Sequence, residues 1–450
     1  MGAPQNAGPT FISPSDQAFV FGSQPPVGLF TANSGKLYLY QAQVGSGGGN
    51  INGCGIYEST DGGTTWTDLD AANRPTSAQG AAVQDSTNNR LILGLVTDTF
   101  PQTAQATFIK PFNLGTKTWG ANIASGGPNA VTVVNSVFLR PDNSIVLIYD
   151  FGASNPGGTS RLRAAVWNGS TWTSSIDVGS AILPSQANGN INVSGACCTM
   201  DSTGLIHIVY TNSAATLFFY QQLKTDNTLG TSHQFTGLNF SSTSFGNAII
   251  SGPNVLVSFA SNSFTNNALL LGTPLSNPAW SVITPSSLAQ PAGQVNLAGP
   301  LGTDGTNLIW MINSLDATFT YTFYQLARST DNGQTWTILT DNTTSPYFYS
   351  FLPGGSTQAP NTDPTFGTFN PILAILGISG TATAFGLTNV RNTSKSANLG
   401  YMLNSEAIGA APPGTPTKFE IVLFGTKRWG KGPEPECTEL PEPKHVKLFC

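Results

Sequence analysis

The chain has 450 residues, of which 39% are hydrophobic, 10% aromatic and only 9% charged, with a net charge of −5. Ordinary globular proteins carry about 25% charged residues; here Ser, Thr, Asn, Gln and Gly supply the polarity, and the aromatic content argues against a disordered polyelectrolyte. No basic footprint for nucleic acid is present, and the longest apolar runs, 145–149 and 372–378, fall far short of the ~20 residues that cross a membrane as a helix.

In chain order, the same small plan recurs seven times: a small-apolar strand, a polar turn and a more strongly apolar strand. The copies are VGLFTANSGKLYLY, GAAVQDSTNNRLILGL, VNSVFLRPDNSIVLIY, SGACCTMDSTGLIHIVY, GNAIISGPNVLVSF, LAGPLGTDGTNLIWMI and, more weakly, NPILAILGISGTATAFGL. Each places Asn, Asp or Gly where a hairpin turn needs them. The second strands are expected to begin near Leu37, Leu91, Ile145, Ile206, Val255, Leu308 and Ala382. No stretch has sustained helical periodicity.

A second signal runs in phase. Ser59, Asp61, Gly63, Thr65 and Trp66 form the pattern S-x-D-x-G-x-T-W, and Ser329, Asp331, Gly333, Thr335 and Trp336 repeat it. The Asp accepts backbone N–H groups in a tight turn, the Gly takes a backbone conformation other residues resist, and Thr-Trp opens the next strand. Eroded copies end in Trp119 and Trp172, and Trp280 keeps the spacing of about 54 residues. Near residue 226 the segment KTDNTLGTSHQF keeps Asp226 and Gly230 without the Trp. One unit is therefore four antiparallel strands, which cannot bury both faces alone. Radial stacking solves this, and predicts an all-β, seven-bladed β-propeller, with six blades as the runner-up. The last strand of the final blade is read as 418–424 or as an N-terminal segment, at 10–13 or 18–21.

The five cysteines (Cys54, Cys197, Cys198, Cys437 and Cys450) and three histidines (His207, His233 and His445) show neither zinc nor disulfide spacing, so no metal and no cofactor is expected. Adjacent Cys197 and Cys198 would face opposite sides of a strand. The N-terminal MGAPQNAGPTF has no basic region leading into an apolar stretch, so no cleaved export signal is expected. Composition divides the chain into a propeller over 1–424 and a Pro/Glu/Lys-rich arm over 425–450, whose PEPE and PEP favour extended backbone. Its apolar end, Val446, Leu448 and Phe449, is read as a docking segment for a partner.

These motifs resemble the Asp-box (BNR-repeat) β-propellers over roughly residues 10–424. That superfamily includes sialidases, other glycoside hydrolases, receptors, lectins and virus-borne adhesins, so the resemblance implies an architecture more than an activity. The sialidase members imply an Arg triad, a Tyr–Glu nucleophile pair and an Asp acid/base. No F-R-I-P-like segment is present, and the first arginine is Arg74, already past the first repeat. Outside the tail the glutamates are Glu58, Glu406 and Glu420. Asp70, Asp98, Asp150, Asp316 and Asp363 follow strands or lie in loops, and remain unpaired candidates for the two carboxyls a glycosidase needs. The expectation drawn from this is a non-enzymatic virion fibre, spike or decoration protein, for structure or host adhesion, at a virion surface or otherwise extracellular. It would be attached to another virion or surface protein through the arm, with no nucleic-acid partner and no membrane insertion. Phe100, Phe151, Tyr347 and Tyr349 are the candidate contacts for a glycan. The alternative is a secreted Asp-box glycoside hydrolase or lectin.

Overall fold

A computed structural model describes residues 10–12, 27–31, 36–41, 45–46, 50–51, 54–60, 67–69, 75, 77–97, 107–129, 131–151, 161–178, 191–212, 217–235, 245–260, 267–272, 280–283, 295–297, 301–303, 307–315, 321–338, 348–350, 372–378, 381–392 and 395–410. Among them every regular element is a strand. They form six four-stranded sheets, one six-stranded sheet and a two-stranded ribbon, all antiparallel.

Sheet 1 runs Val27–Thr31, Leu37–Gln41, Gly55–Ser59, Thr67–Asp68. Sheet 2 is Ser77–Asp85, Arg90–Thr97, Thr107–Asn113, Thr118–Trp119. Sheet 3 is Val131–Leu139, Ile145–Phe151, Arg161–Trp167, Ile176–Asp177. Sheet 4 is Ile191–Met200, Ile206–Asn212, Phe218–Leu223, Leu229–Phe235, and sheet 5 is Phe245–Ser251, Asn254–Ala260, Asn267–Gly272, Trp280–Ile283. Sheet 6 keeps the four-position plan with broken edges. Val295–Leu297 and Leu301–Thr303 share the first position against Leu308–Leu315, and Thr337–Ile338 and Phe348–Ser350 share the last against Tyr321–Ser329. Sheet 7 is Ile372–Ile378, Thr381–Asn392 and Lys395–Ala410, completed from the other end of the chain by Thr10–Ile12. Thr10 pairs with Tyr401 and Ile12 with Leu399, so of the segments read as closing strands it is the N-terminal one over Thr10–Ile12 that pairs; 418–424 lies outside the described residues.

The first strands touch in sequence. Val27–Thr31 meets Ser77–Asp85, which meets Val131–Leu139, then Ile191–Met200, Phe245–Ser251, Leu301–Thr303 and Ile372–Ile378, and the last returns to Val27–Thr31. Apolar cores fill the spaces between sheets. Val134, Val137, Leu147 and Ala165 pack with Ala81, Ile92 and Ile109 between sheets 2 and 3. On the other side of sheet 3, Val146, Ile148, Leu162 and Ala164 pack with Ile206, Ile208 and Tyr210 of sheet 4. Residues of alternating parity thus serve opposite cores, as a pleated strand buried on both faces requires. Cys197 faces the core shared with sheet 5, and Cys198 borders the core shared with sheet 3.

Meander order gives each sheet two unlike ends. The first-to-second and third-to-fourth turns lie at one, here the turn end. The second-to-third and sheet-to-sheet connections leave from the other, the connection end. In four first strands the pairing register slips between Ser77 and Gly80, Val131 and Ser136, Asn192 and Cys197, and Phe245 and Ala248. Each slip is near the start of its strand, at the connection end.

Candidate functional site

The turn end is closed by short polar caps. At Ser329–Trp336, Asp331 Oδ1 accepts the Thr335 N–H at 2.8 Å and the Ser329 hydroxyl at 2.8 Å, while Ser329 Oγ accepts the Gly333 N–H at 2.8 Å. Trp336 Nε1 donates to the Gly333 carbonyl at 2.8 Å, and its buried ring lies 5.4 Å from that of Trp310. Asn332 and Gly333 have φ of 57° and 86°, the left-handed region where Asn and Gly are favoured. In the earlier copy Ser59 ends a strand, and Asp61, Gly63, Thr65 and Trp66 lie outside the described residues.

Other turns reach the same result with other residues. Asn113 caps Gly115 and Thr116, Asn168 caps Ser170 and Thr171, and Asp226 caps Thr228. At the first-to-second turns Asp85 caps Asn88, Asp142 caps Ser144, and Asp201 caps Thr203 and Leu205. Trp119, Trp172, Trp280 and Trp336 each lie at or just before the fourth strand of their sheet.

Longer ties join neighbouring sheets at this end. Buried Glu58 accepts hydrogen bonds from Tyr38 (2.7 Å), from Lys36 (3.3 Å) and from Lys117 of sheet 2 (2.7 Å). Burial, which would raise its carboxyl pKa, is outweighed by these donors, and the net direction is down. Buried Arg140 spans from sheet 3 to the sheet 4 turns, donating to Gly204 O, Lys224 O, Thr225 O and Asn227 Oδ1. In sheet 4, buried His207 stands between Tyr220, 2.8 Å from Nδ1, and Asp201, 3.5 Å from Nε2. Burial lowers the His207 pKa against the pull of Asp201, which keeps the ring neutral. The tautomer that satisfies both neighbours donates from Nε2 and accepts from the Tyr220 hydroxyl.

Asp331, Asp142 and Asp226 are held below the usual carboxylate range first by the hydroxyls of Thr335, Ser144 and Thr228. In Asp85 and Asp201 burial is outweighed by the caps they accept. A general acid needs the opposite shift, so these carboxylates brace the fold.

The connection end has different chemistry. In sheet 3, Phe151 pairs with Arg161 in register, and Tyr149, Arg163 and Asp177 line up across three strands. Arg163 Cζ lies 3.9 Å from the centroid of the Phe151 ring. Tyr149 donates its hydroxyl to Ser175 Oγ at 2.6 Å. Among the described residues no acceptor meets Arg163 Nε, and the buried hydroxyls of Tyr40 and Tyr210 have no partner. Burial raises the pKa of all three tyrosines, so they remain phenolic donors. No group of three His, Cys, Asp or Glu able to hold a metal occurs among the described residues.

Of the residues read from sequence as glycan contacts, Phe151 ends a strand here, beneath Arg163. Tyr349 lies in the edge strand Phe348–Ser350. Phe100 and Tyr347 lie outside the described residues, as do Val446, Leu448 and Phe449 of the tail and the candidates Asp70, Asp98, Asp316 and Asp363. Sequence reasoning passed over Arg163. Its signal is RLRAAVW, in which two arginines alternate at the head of a strand otherwise buried on both sides.

No family model matches the chain, and no curated protein matches it, so the Asp-box resemblance has no family-level support. Solved structures do resemble it. A polysaccharide lyase of family PL25, an ulvan lyase bound to -[GlcA(1-4)Rha3S]-, is 8% identical, with a TM-score of 0.47 over 89% of this chain and 96% of that one. An α-L-arabinanase from Penicillium chrysogenum is 13% identical, with a TM-score of 0.42 over 90% and 100%. An α-L-arabinofuranosidase from Fusarium graminearum is 14% identical, with a TM-score of 0.41 over 69% and 93%.

These proteins are carbohydrate-active enzymes. The expectation of a non-enzymatic virion fibre, spike or decoration protein is corrected against these enzymes, and no finding supports host adhesion or a structural role. The expectation leaned on the missing sialidase residues. That absence excludes one chemistry only, because catalytic groups borne on connections change while the scaffold persists.

Proposed function

We propose that the chain is a carbohydrate-active enzyme, a glycoside hydrolase built on a seven-bladed Asp-box β-propeller, working on extracellular glycan at its connection end. The blade count rests on the cycle of first-strand contacts, which passes through seven sheets and returns to its start. The placement rests on the contrast between the two ends. One is stitched by caps and its carboxylates are pulled down; the other has slipped first strands and an aromatic–guanidinium platform. Register slips of this kind re-aim side chains beside active sites.

The candidate acid and base are drawn from carboxylates tied by the chain to connection-end strand termini. Asp98 directly follows Arg90–Thr97, Asp150 is the penultimate residue of Ile145–Phe151, and Asp316 directly follows Leu308–Leu315. Hydrolysis needs two, one to protonate the leaving oxygen and one to serve as nucleophile or to activate water. A lectin is the second reading, favoured by the absence of an upward-shifted carboxyl among the described residues.

The test is product release from a panel of arabinans, galactans, uronans and sulfated polysaccharides, followed by chromatography. Release that falls about 10²–10⁴-fold in Asp98→Asn, Asp150→Asn or Asp316→Asn supports the hydrolase. Binding without release selects the lectin, and neither binding nor release overturns both.

A further inference from the structure

We infer that Arg163 and Phe151 form a subsite for an acidic sugar, one bearing a carboxylate or a sulfate, at the connection end of sheet 3. The inference rests on the glycan reading above and adds the substrate class to it.

Three observations carry it. First, a guanidinium is retained in a chain with only 9% charged side chains, in a strand whose neighbours Leu162, Ala164, Ala165 and Val166 are buried. Arg163 itself is half-buried, so it gives up part of its hydration unless something else meets it. Second, nothing described meets it by hydrogen bonding: Nε is shielded from solvent without an acceptor. Most buried polar atoms in folded proteins are paired, and an orphan needs a reason. Third, Phe151 holds the group through the face of its ring, 3.9 Å from Cζ. Contact through a ring face uses none of the five N–H donors, which lie in the guanidinium plane. The arrangement fixes the fork and leaves its donors for a planar or tetrahedral anion.

The surroundings define how selective the site would be. Asp177 is opposite Arg163 across the outer pair of strands, and Tyr149 is opposite on the inner side. Asp177 balances the charge of Arg163 within its own row. Recognition would rest on directed hydrogen bonds rather than on an accumulated field, and would fall little with salt, unlike the steep loss seen where many phosphates are neutralised. Phe151 also supplies an apolar surface for the non-polar face of a sugar ring.

The experiment is isothermal titration of the full chain with three size-matched probes: a dextran oligosaccharide, a sulfated dextran oligosaccharide and an oligogalacturonate. The same titrations are run on Arg163→Lys and Phe151→Leu, with near-ultraviolet circular dichroism to check folding. We expect at least one acidic probe to bind about tenfold or more tightly than the neutral one. Arg163→Lys should erase that preference by about 10–100-fold, since Lys keeps the charge but loses the fork. Phe151→Leu should weaken it severalfold, and it carries the test if Arg163→Lys does not fold. A preference for the oligogalacturonate assigns the carboxylate, and a preference for sulfated dextran assigns the sulfate. Equal binding of all three probes, or a preference untouched by either folded variant, overturns the acidic subsite and leaves the glycan reading standing. If none of the probes binds, the subsite is overturned; the glycan reading falls as well only if the polysaccharide panel is also silent.

Discussion

Gly333 shows how much of the S-x-D-x-G-x-T-W motif is steric. It has φ of +86°, and a Cβ there would stand 2.7 Å from Leu269 Cδ1 of sheet 5. Gly169, at the equivalent turn of sheet 3, has φ of +99° with nothing within 4 Å. Alanine at Gly169 should therefore cost only the backbone term, about 1 kcal/mol. Alanine at Gly333 adds a clash that must be relieved in a packed core, for about 3 kcal/mol in all. Urea unfolding of the two variants checks the difference, and equal costs would show that the contact with Leu269 does not matter.

His207 gives a second prediction at this scale. Its pKa is lowered in the fold by burial, from an ordinary value of 6.5. The stability linked to it is present above that value and is lost as pH falls below it, because the unfolded chain then takes a proton that the fold resists. Asp201 is shifted down from 3.8, so its own contribution is lost only in stronger acid. His233 is lowered too, by partial burial, and contributes with the same sign. Unfolding free energy should therefore drop between pH 7 and pH 5, and His207→Gln should remove the larger part of that drop. An unchanged pH profile in the variant would contradict the buried-neutral assignment.

At the scale of elements, most strands were legible because the turns announce them. The second strands begin at Leu37, Arg90, Ile145, Ile206, Asn254, Leu308 and Thr381, each within a residue of the position read from sequence. Asn and Gly at hairpin turns mark these boundaries physically, since Asn89, Asn143, Gly204 and Gly252 all take positive φ. Where Trp was missing, at residues 224–228, the turn persists because Asp226 and Asn227 suffice to make it. The site was far less legible. Tyr149, Arg163 and Asp177 are brought together by register across three strands, and a one-residue slip would separate them. Nothing local in RLRAAVW tells which strand will stand opposite. Of the glycan contacts read from sequence, Phe151 belongs to a strand end and holds a cation.

At the scale of the molecule, the chain is closed by three backbone-paired residues at its start. Thr10–Ile12 is the fourth strand of sheet 7, pairing with residues 399–401, while Val27–Thr31 begins sheet 1 a short way on. The last sheet thus joins residues 10–12 to residues 372–410, and the short strand covers the edge of Lys395–Ala410 at residues 399–401. Removing residues 1–13 should leave Lys395–Ala410 with an unpaired edge and loosen the contact between sheets 7 and 1. A single cooperative thermal transition should then move down by about 1–2 °C, as about 1–2 kcal/mol lost from a domain this size implies. Unfolding in two separated steps would show instead that the sheets do not form one cooperative ring.

The central claim is that glycan meets the connection end and leaves the capped turn end untouched. Hydrogen–deuterium exchange of the full chain, with and without the tightest-binding polysaccharide fragment from the panel, tests it most directly. Slowed exchange is expected in peptides covering 149–163 and the starts of the first strands near 77–80, 131–136 and 191–197, with none at 113–118, 224–228 or 329–336. Protection confined to the turn-end peptides would contradict it.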